Sequence, residues 1–413
     1  MKLDRIRIGF LPLVDAALPI LARERGFGEA EGLEIELVRD MSWATVRDRL
    51  LYGHTDAAHL IAPLAIATTL GRDRPPVPLS VPFVLGLNGN AITLAPALAD
   101  AVLPAGGLGD PVKVGLRMAE MIRHRRATGE RVRLGVVHRY SSHNYMLRYW
   151  LAASGIRPDE DVEIVTISPP FAADALAAGE VDGICVGEPW NSVAVVRGVG
   201  RIVLVTAQIW RRGVEMVLAM RKDALDGQAD RVERLVRALH AAAAHFVEPG
   251  HLEANAGTLA RDDYLGGKAD LIRRAISDRI LLARGTEPLH IADFMFQYRE
   301  GANFPWQSQA AWLHSQMVRW DRLKFSAADA ATARGVFRPD IYRRALAGTG
   351  APLPGASAKV EGAIVSQTGV GATQGRLMLG TDRFFDGRKF DPDDVEGYLE
   401  EIDPPRAGEG DRA

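Results

Sequence analysis

Apolar and polar positions over the first two hundred residues fall into a pattern that is written twice. RIRIGF reads as a strand over Ile6–Phe10, an Ala- and Leu-rich helix follows, a glycine stops it, and LEIELV (33–38) reads as a second strand. SWATVRDRLLYG then reads as a helix, and GHTDAAHLIAP (53–63) ends the unit in an apolar strand. RLGVVHRYSSHNYMLRYWLAASGIRPDEDVEIVTI repeats strand, helix and strand, PPFAADALAAGE supplies the next helix, and GEVDGICVGEP (179–189) the closing strand. Gly53, Asp56 and Pro63 fall on Gly179, Asp182 and Pro189 at one constant offset of 126, and Ile8 falls on Leu134 at the same offset. Segments of β-α-β type resemble one another generically, because parallel strands need crossover helices. An equal offset at three punctuation residues favours a true duplication, and hence two similar α/β lobes.

In open α/β sheets, ligands sit beyond the carboxyl ends of the strands, where helix N-termini present free N–H groups. Two such lobes facing each other form a cleft lined by helix starts. Ser42 and Ser168 are placed as N-caps after the second strand of each unit, next to Trp43 and to Pro169–Pro170, while Ser141, Ser142 and His143 open a helix after the first strand of the second unit. Trp43 is read either as a cleft residue or as core, and His143 as a cleft residue or a cap. The stretch LSVPFVLGLNGNAITLAP (79–96) is a strand interrupted at Gly86, Asn88, Gly89 and Asn90. It is read either as a crossing between lobes or as an Asn-Gly hairpin. A second crossing is expected over 201–223, with an irregular basic middle at Arg211–Gly213. These crossings divide the chain into lobe I (1–87 and 210–413) and lobe II (88–209). Beyond about 224 the pattern is mostly helical, with a Gly/Pro-rich connection at 346–365 and a disordered tail over 404–413.

Composition narrows the function. With 413 residues, 47% hydrophobic and 25% charged, the chain exceeds one core, and a net charge of −2 gives none of the basic footprint that binding nucleic acid or an anionic membrane would need. Neither is expected as a direct partner. The lone Cys185 lies in an apolar run and excludes an intrachain disulfide or a cysteine metal cluster. Asp182 is explained by its turn and Glu188 by the cleft mouth, so they make no catalytic pair. His138, Arg139 and His143 lack metal-ligand spacing, and GVGATQGR (369–376) lacks the lysine of a phosphate loop. No enzyme activity, metal or cofactor is expected. Asp4, Arg5 and Arg7 interrupt what a signal peptide would keep apolar, which implies a cytoplasmic location.

The segments LLYGHTDAAHLIAPLAIATTLG, LNGNAITL, SSHNYMLRYWLAA, CVGEPWNSVAV, FPWQSQAAWLHSQMVRW and RFFDGRKFDPDD, in this order, resemble the nitrate- and bicarbonate-binding proteins of ABC transporters. They resemble still more the cytoplasmic NasS-type nitrate/nitrite sensors, over roughly residues 5–395. The resemblance implies a two-lobed type II periplasmic-binding-protein fold with the ligand between the lobes and a helical C-terminal extension on lobe I. It places Trp43, Gly86, Asn90, His143 and Pro169 around the anion. Asn90 stands where the transport proteins often have glutamine, and Met216 where their PEKV pattern has a lysine that contacts the anion. Arg211 and Arg212 are candidates to supply the missing positive charge, and Trp43 and a protonated His143 to supply N–H donors. The sensor resemblance further implies a partner, an ANTAR-domain RNA-binding antiterminator of NasT type, released when nitrate or nitrite binds. The alternative it leaves open is a solute-binding component of a nitrate or bicarbonate transporter; a second alternative, an enzyme of the same fold, is disfavoured because those enzymes use a cysteine-rich motif that the lone Cys185 cannot supply.

Overall fold

The first unit alternates strand and helix: β1 (Asp4–Phe10), α1 (Ala17–Glu24), β2 (Leu33–Arg39), α2 (Trp43–Leu51), β3 (Ala57–Ile61) and α3 (Ala62–Leu70). The chain then runs through β4 (Leu79–Asn88) and β5 (Asn90–Leu94) into the second unit. That unit comprises β6 (Val132–Val136), α4 (Ser142–Ala153), β7 (Val162–Thr166), α5 (Ala172–Ala177), β8 (Gly183–Gly187) and α6 (Trp190–Arg197). Return strands β9 (Arg201–Val205) and β10 (Val214–Arg221) lead to a C-terminal region that includes α7 (Ala229–Val247), β11 (Met295–Phe296), α8 (Gln307–Trp320) and α9 (Val395–Ile402). This is a computed structural model, and it describes residues 2–403; the 404–413 tail lies outside the described residues.

The two large sheets have the orders β11-β4-β10-β3-β1-β2 and β7-β6-β8-β5-β9. The duplication read in the sequence reappears in their register. Ile8 pairs in parallel with Ala57 and Leu134 with Gly183, each residue 126 positions from its counterpart. One polar lock is repeated as well. Asp56 accepts the Arg7 N–H at 2.7 Å, and Asp182 accepts the Arg133 N–H at 2.8 Å. The Arg7 and Arg133 guanidiniums donate in turn to the carbonyls of Gly53 and Gly179, at 3.1 and 2.6 Å. Gly53 and Gly179 take φ of 74° and 68°, the left-handed backbone that ends the preceding helix in each unit and that glycine adopts without a Cβ penalty. The repeated Gly-x-x-Asp is therefore a turn-and-strand clamp that fixes each central strand from its N-terminal side.

The 79–96 stretch is not a hairpin: β4 and β5 belong to different sheets, separated by Gly89 alone, at φ 88°. Asn88 holds the crossing by donating its amide to the carbonyls of Arg211 and Asp293, at 3.0 and 3.2 Å. The chain returns between Val205 and Val214, through a short helix (Thr206–Ile209) and the Arg211–Gly213 segment. Three contacts join the two units across their facing ends. The Val14 N–H donates to the Glu188 carbonyl at 2.8 Å, the Trp190 indole to the Pro12 carbonyl at 3.2 Å, and the Ser168 hydroxyl to the Met41 carbonyl. Ser168 therefore does not cap its own helix as Ser42 does, whose Oγ accepts the Thr45 N–H at 3.2 Å; it ties the second unit to the equivalent turn of the first.

The C-terminal region is mostly helical through Leu346, interrupted over 279–296 by short strands, and 347–394 carries short strands such as Thr368–Val370 and Ala372–Gln374, which hold the GVGATQGR segment. α8 is buried on every side from Ser308 to Val318, so Trp312 and Met317 pack as core. Trp312 lies 4.6 Å from Trp210 and 5.5 Å from Phe384 by ring centroid, and Tyr149 of α4 packs at 5.8 Å.

Candidate functional site

The facing ends of the two sheets gather polar side chains that the apolar interior does not pair. Trp43 opens α2, and its ring packs 5.4 Å from His59 of β3. His59 Nε2 lies 2.9 Å from Asp15 Oδ1, in the segment that follows β1. From the side of the second sheet, Asn90 begins β5, and Ser142 and His143 begin α4, with Ser141 capping that helix by accepting the Asn144 N–H at 3.1 Å. His143 Nδ1 lies 3.1 Å from Glu215 Oε1 on β10, where Asn90 and Ser142 also come close enough to lower the Glu215 pKa. Gly187, opposite Asn90, makes the meeting possible. A Cβ there would stand 3.1 Å from Leu13, 3.3 Å from the Asn90 amide oxygen and 3.6 Å from Asp15.

All of these side chains are buried, yet Trp43 Nε1, both ends of the Asn90 amide, Ser142 Oγ, both His143 nitrogens and Glu215 Oε1 make no hydrogen bond of good geometry. The close His59–Asp15 and His143–Glu215 approaches satisfy distance but not direction. Buried polar groups are paired as a rule, so a concentration of unpaired donors and acceptors marks a place that a small polar ligand or ordered water completes.

Of the residues selected from sequence, Trp43, Asn90 and His143 belong to this set. Pro169 is buried at the start of the 3₁₀ turn Pro169–Phe171, next to the Ser168–Met41 link and two residues from Trp43 through it. Gly86 and Met216 are buried opposite each other on β4 and β10, where a Cβ on Gly86 would press within 3.1 Å of the Gln297 amide. Arg211 and Arg212 are not free to supply charge. Arg211 pairs with Asp293 at 2.9 Å, and Arg212 pairs with Asp293 at 3.0 Å and Glu300 at 2.9 Å while stacking 3.9 Å over Phe296. His143 is not a protonated donor either, because burial pulls it down to about 3. Its neutral ring still offers one N–H.

Asp15, His59, Ser142, Glu215 and Gln297 were not selected as site residues. A cleft of about 670 Å³ lies elsewhere, lined by residues including Arg157, Trp320, Phe325 and Leu399. Its charges are largely exposed and satisfied at the surface, Arg157 by Glu160 and Asp161 and Asp159 by Arg148, so the unpaired buried set is the stronger candidate. Among the described residues no group of three or more His, Cys, Asp or Glu could hold a metal ion, and no helix is long and apolar enough to cross a membrane.

Burial sets the pH response of the site. It pushes Glu215 up to about 8 and Glu188 up to about 7 from an ordinary 4.5, so the folded chain keeps protons that the unfolded chain releases. The stability these acids contribute is complete below 4.5 and is lost as pH rises through 7 and 8. His143, lowered from 6.5 to about 3, contributes stability that is present above 6.5 and lost as pH falls through 3. Above 6.5, where of these three groups only the acids act, the melting temperature is expected to fall toward pH 8, and Glu215→Gln to flatten that fall. Thermal melts across this window check it.

The fold matches the crystal structure of the periplasmic nitrate-binding protein NrtA from Synechocystis with a TM-score of 0.83 and 25% identity, over 97% of this chain and 99% of that one. The nitrate import ATP-binding protein NrtC of Synechocystis sp. is 32% identical over 396 residues, 95% of this chain and 54% of the relative, so the chain spans about half of that protein. The nitrate/nitrite binding protein NrtA of Nostoc sp. is 28% identical over 97% of this chain and 86% of its own length. The NMT1-like family pattern matches residues 1–260, and the chain belongs to that family, with the two-lobed mixed α/β fold of NrtA-type binding proteins.

Proposed function

We propose that this protein binds nitrate or nitrite between its two lobes and acts in the cytoplasm as a sensor that controls an ANTAR-domain RNA-binding antiterminator in nitrate assimilation. The observation that carries the binding step is the buried, unpaired set of Trp43 Nε1, the Asn90 amide, the Ser142 hydroxyl and His143, brought together from both units. Nitrate and nitrite offer only acceptor oxygens, so a pocket of N–H and O–H donors suits them. The start of α4 adds the partial positive charge of a helix N-terminus of about half a unit. The names of the relatives support the same ligand class. They are binding and transport proteins, and this chain is a binding protein rather than an enzyme.

Ligand held by both lobes favours the closed arrangement, and a partner that prefers the open one is released. Moving such an equilibrium from 1:99 to 99:1 takes about 5.5 kcal/mol of differential affinity, so the complex must be poised for a small anion to switch it. The transport names of the relatives favour a second reading, the solute-binding component of a nitrate or bicarbonate importer. Calorimetry with nitrate, nitrite, bicarbonate and chloride tests the ligand. Nitrate or nitrite is expected to bind and chloride not, and a preference for bicarbonate would favour the importer reading. Co-purification with a small RNA-binding protein that added nitrate dissolves is the outcome expected of a sensor.

A further inference from the structure

Glu215 has no part in the donor scheme above, and the fold sets it at the centre of the site. It is the one charged residue of GVEMVLAM on β10, and it is 2% exposed. Its Oε1 lies 3.1 Å from His143 Nδ1 without a hydrogen bond of good geometry. Ser142 and His143 face it from α4, Asn90 from β5, and Asp15 from the segment after β1, where Asp15 is itself 2.9 Å from His59 of β3. From the β8 side, the buried Cys185 thiol is close enough to feel the Glu215 charge, and the buried Glu188 carboxyl lies just beyond that strand. Among the described residues no lysine or arginine pairs with Glu215, Asp15 or Glu188, and the next residue on the strand is the neutral Met216. An ionised Glu215 would therefore stand beside Asp15 and beside any anion held by the donors, three like charges in a low-dielectric interior with no lysine or arginine paired to offset them.

Building on the nitrate or nitrite reading, we infer that Glu215 enters the complex as the neutral acid and donates its O–H to the bound anion, which makes it a ligand-binding residue whose proton is taken up with the anion. Burial is the main force holding a proton on this carboxyl, up to about 8, and the negative charge of Asp15 acts in the same direction. The neutral His143 ring does not compete for that proton. Proton and ligand are linked. Where Glu215 is ionised in the free protein, binding draws one proton from solvent, and no proton moves where the acid is already formed.

The test is calorimetry of the full chain with sodium nitrate from mildly acid to alkaline pH, for wild type and Glu215→Gln, together with infrared difference spectra of the carboxyl region. The wild-type dissociation constant is expected to be flat at acid pH and to rise about tenfold per pH unit once the acid titrates. Glu215→Gln, which keeps an N–H donor but cannot ionise, is expected to bind about tenfold more weakly near neutrality and to lose the slope. A protonated carboxyl band missing from the variant should shift when nitrate is added. Nitrate binding with no pH slope in the wild type, or a Glu215 signal that is carboxylate in the complex, overturns this inference and leaves the nitrate reading standing. Absence of nitrate and nitrite binding at every pH removes the functional reading and this inference with it. The wild-type slope and spectrum decide the matter even if the variant does not fold.

Discussion

Trp312→Ala is expected to destabilise the protein by about 3–5 kcal/mol, the usual cost of removing a buried tryptophan from a packed interior. Trp312 is fully buried on α8, and its indole N–H donates to the Tyr398 hydroxyl at 3.1 Å. Its ring is shared between segments distant in sequence: Trp210 on the return crossing, Phe384 in the C-terminal region and Tyr149 on α4 of the second unit. Trp210 and Phe384 stack at 5.1 Å with 18° between their planes, so losing the third ring exposes both to a cavity that neither can fill. Guanidinium denaturation should show a lower midpoint. Phe384→Leu, which keeps most of the volume, is expected to cost less. Equal losses for the two would mean that the cluster does not pack as one unit.

Asn90→Leu is expected to weaken nitrate binding by roughly 10- to 100-fold, the range for a lost hydrogen bond to a charged group at about 1.5–3 kcal/mol. The replacement is close in size, so packing against Gly187 is largely retained while donor and acceptor both disappear. Asn90 stands first on β5, one residue after the crossing, opposite Gly187 and close to Glu215 of the other sheet. In the proposed binding mode it joins the two lobes through the ligand. Folding should change little, because its amide is unpaired in the folded protein. Calorimetry reads the affinity and a thermal melt the stability; a large loss of stability with unchanged affinity would assign Asn90 to the core.

The duplicated lobes could be read from the sequence because turn chemistry is local. Gly53 and Gly179 need left-handed backbone, Asp56 and Asp182 hold the strand that precedes them in the sheet, and both requirements recur at the same spacing. Trp43, Asn90 and His143 could be placed for a related reason, since each sits at the start of a helix or strand whose boundary the sequence marks. Asp15, His59 and Glu215 could not be placed this way. Their partners are brought together by tertiary packing across 44 residues for Asp15 and His59 and 72 for His143 and Glu215. The one signal available was an ionisable residue inside an otherwise apolar strand, His59 in AAHLI and Glu215 in VEMVLAM, which is costly to bury without a purpose. Arg211 and Arg212 were misleading for the opposite reason: basic residues beside a crossing suggest a ligand charge, yet Asp293 and Glu300 arrive from a distant segment to neutralise them.

A crystal structure of the full chain with saturating nitrate would probe the two-lobed binding account at its root. The account predicts planar density between the lobes, in hydrogen-bond contact with Trp43 Nε1, the Asn90 amide and the His143–Glu215 pair. Nitrate bound at another surface, with these groups bridged only by water, would contradict it.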